Sequence, residues 1–486
     1  MTQENEPHKR WTLLAVCLGT FMLIVDLTIV VVALPNISTS LHTSFSAVQW
    51  TVDAYSLSLA SLLLPAGSLA DILGRRRVFA GGLAIFTLGS LLCALSTSGI
   101  ELVLFRVFQG IGGASIFATS LALLAQTFHG RERGAAFGIW GAVIGAAGGS
   151  GPLLGGLLTS ALSWRWIFYV NLPLGALAIF VTLVYVREFK PPQARRMDLA
   201  GFAVFTTALF CLVYGLIEAG KRGWGSTLVV AMLAAAAVLL VAFPLLERRL
   251  EQPMFDLRLF RKPTFVGGAV AAFGINSTIY AMFLYLTLYL QDDLNASPLG
   301  AGARLAVLTV CSMLTGLPAG RLSSRIPVRW LIAPGLLLIG VGLLLMSGIS
   351  ADSSWTHLIP GFIVAGAGTG LVNAPLASTA VGVVPPHDAG MASGINSTFR
   401  QVGIAVAIAA LGSIFTAKLA HATPATIGVH YASAVNAVLL VSGITASVAA
   451  ALTVPLIRQR DFIVHGGPQP SSADPPAPAE PQPAVG

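Results

Sequence analysis

Two ionisable residues stand inside apolar runs where water has little access: Asp26, in LGTFMLIVDLTIVVVALP, and Arg106, in ELVLFRVFQGIGGASIF. A carboxylate or guanidinium at the centre of a bilayer costs about 2.5–3.5 kcal/mol on insertion scales, so both must face a protein interior. Burial favours a neutral acid, while water or a nearby cation favours the carboxylate. A conformational change that alters hydration can therefore load and release a proton at Asp26. The alternative is a structural, hydrogen-bonded acid. Arg106 cannot shed its charge and needs a counter-charge or water. Gln109, Gly110 and Gly113 follow it at helical spacing, which sets a cation and an amide together beside a glycine surface. A fixed packing ion pair remains the alternative there. Asp53, near the start of the second run, is a further candidate for proton or substrate chemistry, unless it sits at the outer interface.

Softer candidates follow. Phe273, Asn276, Tyr280, Phe283 and Thr287 recur at helical spacing in one apolar run, and Asn373 lies in another. Aromatic faces with a few amides suit flat amphipathic ligands, although the same stripe also serves packing. Arg304 and Arg400 also fall inside apolar runs. Arg304 either snorkels to the outer interface or disfavours dicationic ligands. Cys17, Cys93, Cys211 and Cys311 are far apart in apolar runs and read as small hydrophobes, and the histidines form no HExxH pair, so no metal site is expected. GLIEAGKR, from Gly215 to Arg222, approaches a phosphate-binding loop but carries Arg222 where Ser or Thr is required, at the end of an apolar run. That argues against an enzyme and against nucleotide-driven pumping.

Long apolar helices must position these residues. With 55% hydrophobic and 10% charged residues and a mean hydropathy of +0.81, the chain cannot cover its apolar surface in water. Runs of about 20 apolar residues, enough to cross a bilayer, are expected near 12–34, 47–69, 78–98, 101–127, 134–161, 166–187, 199–218, 226–246, 264–290, 299–320, 330–349, 357–384, 389–417 and 431–457. The fold class is thus an all-α membrane protein of about 14 transmembrane helices. The first run is too long, and its flanks are wrong, for a cleaved signal peptide.

The 28 Lys and Arg residues concentrate in alternate gaps. Lys9 and Arg10, Arg75 to Arg77, Arg131 and Arg133, Arg187 to Arg196, Arg248 to Lys262, Arg321 to Arg329, and Arg458 and Arg460 all fall on one side. Cationic loops are retained in the cytoplasm, so both termini are expected there. The net charge of +8 is scattered among these loops; it suits an anionic lipid leaflet and not nucleic acid.

The second gap reads GSLADILGRRR from Gly67 and the tenth GRLSSRIPVRW from Gly320, a weak internal echo. It divides the chain into a short N-terminus (1–11), a six-helix bundle (12–190), two inserted helices (198–247), a second six-helix bundle (264–457) and a Pro-rich tail (458–486) expected to be disordered. Repeated bundles around a midplane site are how many secondary transporters achieve alternating access. Gly67 and Gly74 are expected to allow tight turns, Asp71 to pair with an arginine or cap a helix, and Arg75 and Arg76 to help gate or simply to anchor the loop.

Several segments together resemble the fourteen-span drug:proton antiporters of the major facilitator superfamily, the EmrB/QacA type. They are VDLTIVVVALPNI from Val25, GSLADILGRRRVF from Gly67, LFRVFQGIGGA from Leu104, GGSGPLLGGLL from Gly148, WRWIFYVNLPLG from Trp164 and GMASGINSTFRQVG from Gly390. Departures are Val31 for an expected Asn, Ile72 for a basic residue and Ala147 for Gly. The resemblance covers roughly residues 11–458 and implies the superfamily fold in a bacterial inner membrane. It also implies proton coupling through Arg106, and control of leakage by the span-five helix with Gly145, Gly149, Gly151, Pro152, Gly155 and Gly156. The expected activity is exchange of protons for a small amphipathic drug or toxic metabolite, by a monomer with no cofactor beyond the proton gradient. Gln109, Phe273, Asn276, Tyr280, Phe283, Asn373 and Arg304 are the candidate substrate contacts. An importer or uniporter of a metabolite, or a transport-inactive sensor, are the competing readings.

Overall fold

The computed structural model describes residues 6–43, 45–189, 198–248, 257–323, 325–385, 388–419, 423 and 426–462. Lys190, Arg195, Arg196, Arg249, Ser324 and the tail from residue 463, all used above, lie outside the described residues. Regular structure among the described residues is helical. The first seven helices are α1 (Glu6–Ser40), α2 (Phe45–Leu73), α3 (Arg75–Leu95), α4 (Gly99–Thr127), α5 (Gly130–Ala161), α6 (Trp166–Tyr169) and α7 (Asn171–Tyr185). Next come α8 (Leu199–Arg222) and α9 (Thr227–Glu247). The last six are α10 (Pro263–Leu288), α11 (Pro298–Leu322), α12 (Arg329–Met346), α13 (Ile359–Gly382), α14 (Ala389–Leu419) and α15 (Ile427–Leu456).

These supply 14 candidate membrane spans, with α6 and α7 together making the sixth, Trp166–Tyr185. That span breaks because Pro173 removes a backbone donor and crowds the carbonyl of Tyr169, four residues back. Several helices run past the expected apolar limits, α1 from Glu6 to Ser40 and α8 to Arg222, because their polar ends find partners outside the hydrocarbon. Ser98, Asp198 and Ser297 cap α4, α8 and α11 by accepting from the backbone N–H groups of Glu101, Gly201 and Gly300. Gly223 ends α8 at φ 82°, a left-handed position that glycine takes without strain.

Helices α1 to α7 share one apolar core, which includes Leu23, Ile29, Tyr55, Phe86, Phe117 and Trp140. Helices α10 to α15 share a second, around Ile279, Leu336, Phe362 and Leu439. Helix α8 lies across α2 and α14, joined to them by Leu57, Ala60, Val213 and Ala405 and by a cluster with Phe205, Leu209, Met391 and Ile395. Helix α9 packs mainly on α8, and Val230, Val238, Val241 and Leu245 remain exposed for lipid. With an even number of spans, both ends of the described chain reach the same membrane face, called here the terminal face.

The halves meet along α5 with α11 and α2 with α14. On α5, Gly134 and Gly138 oppose Gly320, Gly145 opposes Ser312, and Gly149 opposes Thr309. The two numberings run in opposite directions, so α5 and α11 are antiparallel and touch over most of their length.

Candidate functional site

Asp26, Arg106, Gln109 and Asn171 converge in a wholly enclosed polar cluster among α1, α2, α3, α4 and α7. Arg106 donates from Nη1 to Asp26 Oδ2 at 2.6 Å and to Gln109 Oε1 at 2.7 Å, and from Nε to the Thr51 carbonyl at 3.0 Å. Asp26 Oδ1 accepts from Gln109 Nε2 at 3.0 Å and Asn171 Nδ2 at 3.1 Å. Both amides also donate to Ser90 Oγ, at 2.7 and 3.1 Å. The guanidinium lies 4.0 Å from the Tyr55 ring centroid, a cation–π contact strengthened by burial of both groups. Each carboxylate oxygen of Asp26 is therefore matched, and the ion pair is tied to five helices.

Asp26 stands eight residues before the end of the span His8–Leu34, about 12 Å along the helix. The cluster thus lies nearer the face opposite the termini than the mid-span position expected from sequence. Gln109, expected among the substrate contacts, belongs to this cluster instead. Ser90, Asn171, Tyr55 and Thr51 were not singled out from sequence. Asn171 was the legible one, since an amide inside WRWIFYVNLPLG is a polar group in an apolar run.

A second constellation occupies the terminal face. Asp71 accepts from the backbone N–H of Gly390 at 3.2 Å and of Met391 at 2.9 Å, the free donors at the start of α14. Arg75 donates to the same carboxylate from Nε at 3.2 Å and Nη2 at 3.0 Å, and to Gln126 Oε1 at 3.2 Å. An acid of one half therefore caps a helix of the other. Arg75 is fully buried, so it is more than a topological anchor. Arg76 donates its backbone N–H to Glu188 Oε1 at 3.1 Å and its side chain to the Leu183 carbonyl at 2.5 Å.

The glycines of this motif act differently from one another. Gly67 and Asp71 lie within α2, not in a turn, because the helix continues to Leu73. A Cβ at Gly67 would come 2.4 Å from the Gly390 carbonyl oxygen, so the glycine is there for close approach of α2 to α14. Gly74 is the turn residue, at φ 108°, and a Cβ on it would also strike the Glu188 carboxylate at 2.6 Å. The echo holds in space, since a Cβ at Gly134 would meet the Gly320 carbonyl oxygen, also at 2.4 Å.

Helix α5 presents glycine on two faces. Gly145 and Gly149 face α11, as above. Gly151 and Gly155 face α1, where added Cβ atoms would collide with Thr28 Oγ1 and the Ile29 carbonyl, just past Asp26. Pro152 lies inside the helix, and the Gly156 carbonyl accepts from Ser160 Oγ at 2.7 Å.

Other expected residues are dispersed. Asp53 is not part of the Asp26 cluster; it pairs with Lys221 of α8 at 2.5 Å, and Lys221 also lies 4.6 Å from the Trp50 ring. Asn276 donates to the Ala272 carbonyl and Thr287 to the Phe283 carbonyl, both within their own helix. Phe273 backs onto Gly403 of α14. Asn373 accepts from Arg400, and Tyr280 is an electrostatic neighbour of that arginine. Arg304 lies over the Trp355 ring at 5.4 Å, apart from these. The segment Gly215–Arg222 is the helical end of α8, where Glu218 pairs with Arg222, and has no loop to hold a phosphate.

A family model described as Major Facilitator Superfamily matches residues 16–408 and 264–483. Multidrug resistance protein Stp of Mycobacterium tuberculosis is 40% identical over 413 residues, covering 84% of this chain and 76% of that protein. Puromycin resistance protein pur8 of Streptomyces alboniger is 36% identical over 424 residues, covering 86% and 84%. The tetracenomycin C resistance and export protein of Streptomyces glaucescens is 35% identical over 415 residues, covering 85% and 77%. A crystal structure of the human organic anion transporter MFSD10 aligns with a TM-score of 0.63 at 16% identity, over 92% of this chain and 99% of that one, a likeness of fold.

Proposed function

The chain belongs to the major facilitator superfamily, a family of transporters, and within it we propose that this protein is a proton-driven exporter of amphipathic drugs or toxic metabolites. Relatives whose names record multidrug, puromycin and tetracenomycin C resistance support the export reading. The observation that carries proton coupling is the enclosed Asp26–Arg106 pair with its two amide donors. An ionised Asp26 neutralises Arg106, and both of its oxygens accept hydrogen bonds. Protonation removes that neutralisation and leaves a cation in a medium of low dielectric, where breaking a buried pair costs about 3–5 kcal/mol. The occluded arrangement is then disfavoured, and the halves exchange it for one in which water reaches the cluster. Because α1 carries Asp26 and rides on Gly151 and Gly155 of α5, movement at the pair is passed to the α5–α11 seam.

The energy suffices. One proton moving down 100 mV supplies about 2.3 kcal/mol, equivalent to roughly 50-fold accumulation of cargo. Export requires both chain ends to be cytoplasmic, which the distribution of lysine and arginine supports. The test is efflux of a fluorescent dye from liposomes reconstituted with the protein under an imposed ΔpH. Proton-dependent extrusion that stops when ionophores collapse ΔpH and voltage is expected. Extrusion that persists overturns proton coupling, reversed direction indicates an importer, and absence of flux a sensor.

A further inference from the structure

The C-terminal half carries its own buried cation, which pairs with no acid among the described residues. Arg400, in α14, is 4% exposed. It donates from Nε to Asn396 Oδ1 at 3.1 Å and from Nη1 to Asn373 Oδ1 at 3.2 Å, while Nη2 is buried with no hydrogen-bond partner among the described residues. Both partners are neutral amides, which satisfy donors without balancing charge. No carboxylate among the described residues comes within the 4.0 Å of an ion pair with it. Helix α14 itself carries no acid, and Asp388, just before its start, is twelve residues from Arg400 in sequence. Arg106 in the N-terminal half differs in charge balance, with Asp26 at 2.6 Å, while its Nη2 is likewise buried without a hydrogen-bond partner among the described residues. Isolated charges of this kind are rare in membrane interiors and mark ligand pathways.

Its location fits a cargo site. Arg400 lies eleven residues into α14 from Ala389, about 16 Å from the terminal face and so near the bilayer midplane. Asn373 borders Gly141 of α5, whose added Cβ would sit 3.6 Å from the Asn373 Cβ, so the cluster abuts the seam between the halves. A small hollow lined by Thr264, Phe265, Gly268 and Asn396 adjoins it. Tyr280 is an electrostatic neighbour of the charge.

We propose that Arg400, with Asn373 and Asn396, is the docking point for an anionic group, a carboxylate or sulfonate, on an otherwise apolar substrate. The inference rests on the transport reading above only for calling the ligand a substrate. With Nη2 unpartnered among the described residues, the guanidinium can offer an oxyanion a planar fork, a geometry lysine does not reproduce.

Equilibrium binding to the full-length protein in nanodiscs tests this without any gradient. The probes are fluorescein, which is anionic, and rhodamine 6G, a cation of similar ring size, both followed by fluorescence anisotropy. Fluorescein should bind the wild type, and Arg400→Gln should weaken it by at least about tenfold, as expected for loss of a charge-assisted hydrogen bond. Arg400→Lys should fall between, and rhodamine 6G should change by less than about threefold. Asn396→Ala, which keeps the cation, should weaken fluorescein by about threefold or more and covers the case in which Arg400→Gln does not fold. Naphthalene-2-sulfonate should displace fluorescein from the wild type, and sodium chloride at the same concentration should not. The proposal is overturned if fluorescein fails to bind, if the folded Arg400→Gln variant binds it unchanged, if both dyes lose affinity equally, or if chloride competes as well as the sulfonate. Anion binding through Arg400 in a protein that shows no proton-driven flux would sink the export reading and leave this one standing.

Discussion

Asp26 is neutralised by Arg106 and hydrogen-bonded by Gln109, both on α4, and by Asn171 on α7. Asp26→Asn should abolish proton-driven efflux while dye binding persists; undiminished efflux would remove Asp26 from the coupling step. The same change strands Arg106 and should lower the free energy of unfolding by about 3–5 kcal/mol, with Arg106→Gln costing a similar amount. The double variant should cost clearly less than the sum, as a double-mutant cycle by thermal melting in detergent would reveal. Additive losses would mean the two side chains act independently. Asp26 and Arg106 were legible in the sequence because a charge in an apolar run is conspicuous. Of the companions not singled out, only Asn171, an amide in an apolar run, was legible; Ser90 and Tyr55 are residue types found throughout membrane helices, and the meeting depends on five helices converging. Arg400 was visible as a charge, but its lack of an acid can be read only from packing.

Between the halves, the closest crossings are backbone to backbone at glycines. The sequence marks GSLADILGRRR as a loop because Gly67 and Gly74 look like turn residues, yet α2 persists to Leu73 and Gly67 serves contact with α14. Glycine in a short motif is ambiguous in this way, since a turn and a close crossing both require a missing side chain. The capping of α14 by Asp71 predicts that Asp71→Asn slows turnover more than it weakens dye binding, and equal effects on both would defeat a gating role. Gly74→Ala places a Cβ at φ 108° against Glu188 and should destabilise the protein by about 1–2 kcal/mol or more in thermal melts. Gly320→Val should wedge α11 from α5 at the terminal face. Cysteine accessibility to a membrane-impermeant thiol reagent, measured at a site buried beneath that crossing, should then rise relative to the parent.

For the whole molecule, the hydropathy pattern fixed the count of spans and the alternating charges fixed the expected sidedness. A green fluorescent protein fused after Gly486 should fluoresce and alkaline phosphatase at the same point should be inactive; the opposite pattern would invert the orientation and with it the direction of transport. The internal echo, weak in letters, is plain in space. Gly67 meets Gly390 and Gly134 meets Gly320 at matching separations, one crossing from each half. The inserted α8 and α9 leave this pairing undisturbed, because α8 bridges α2 and α14 from outside and α9 turns its apolar surface to lipid.

Those two crossings have a thermodynamic corollary. Glycine contributes almost no hydrocarbon, whereas each leucine released from a packed seam into water would cost about 1.5–3 kcal/mol. A seal of side chains would therefore demand more work per stroke than a single ion falling through 100 mV delivers, about 2.3 kcal/mol. In the proposed cycle, the bare-peptide crossings at Gly67–Gly390 and Gly134–Gly320 would keep the threshold for opening within reach of that fuel.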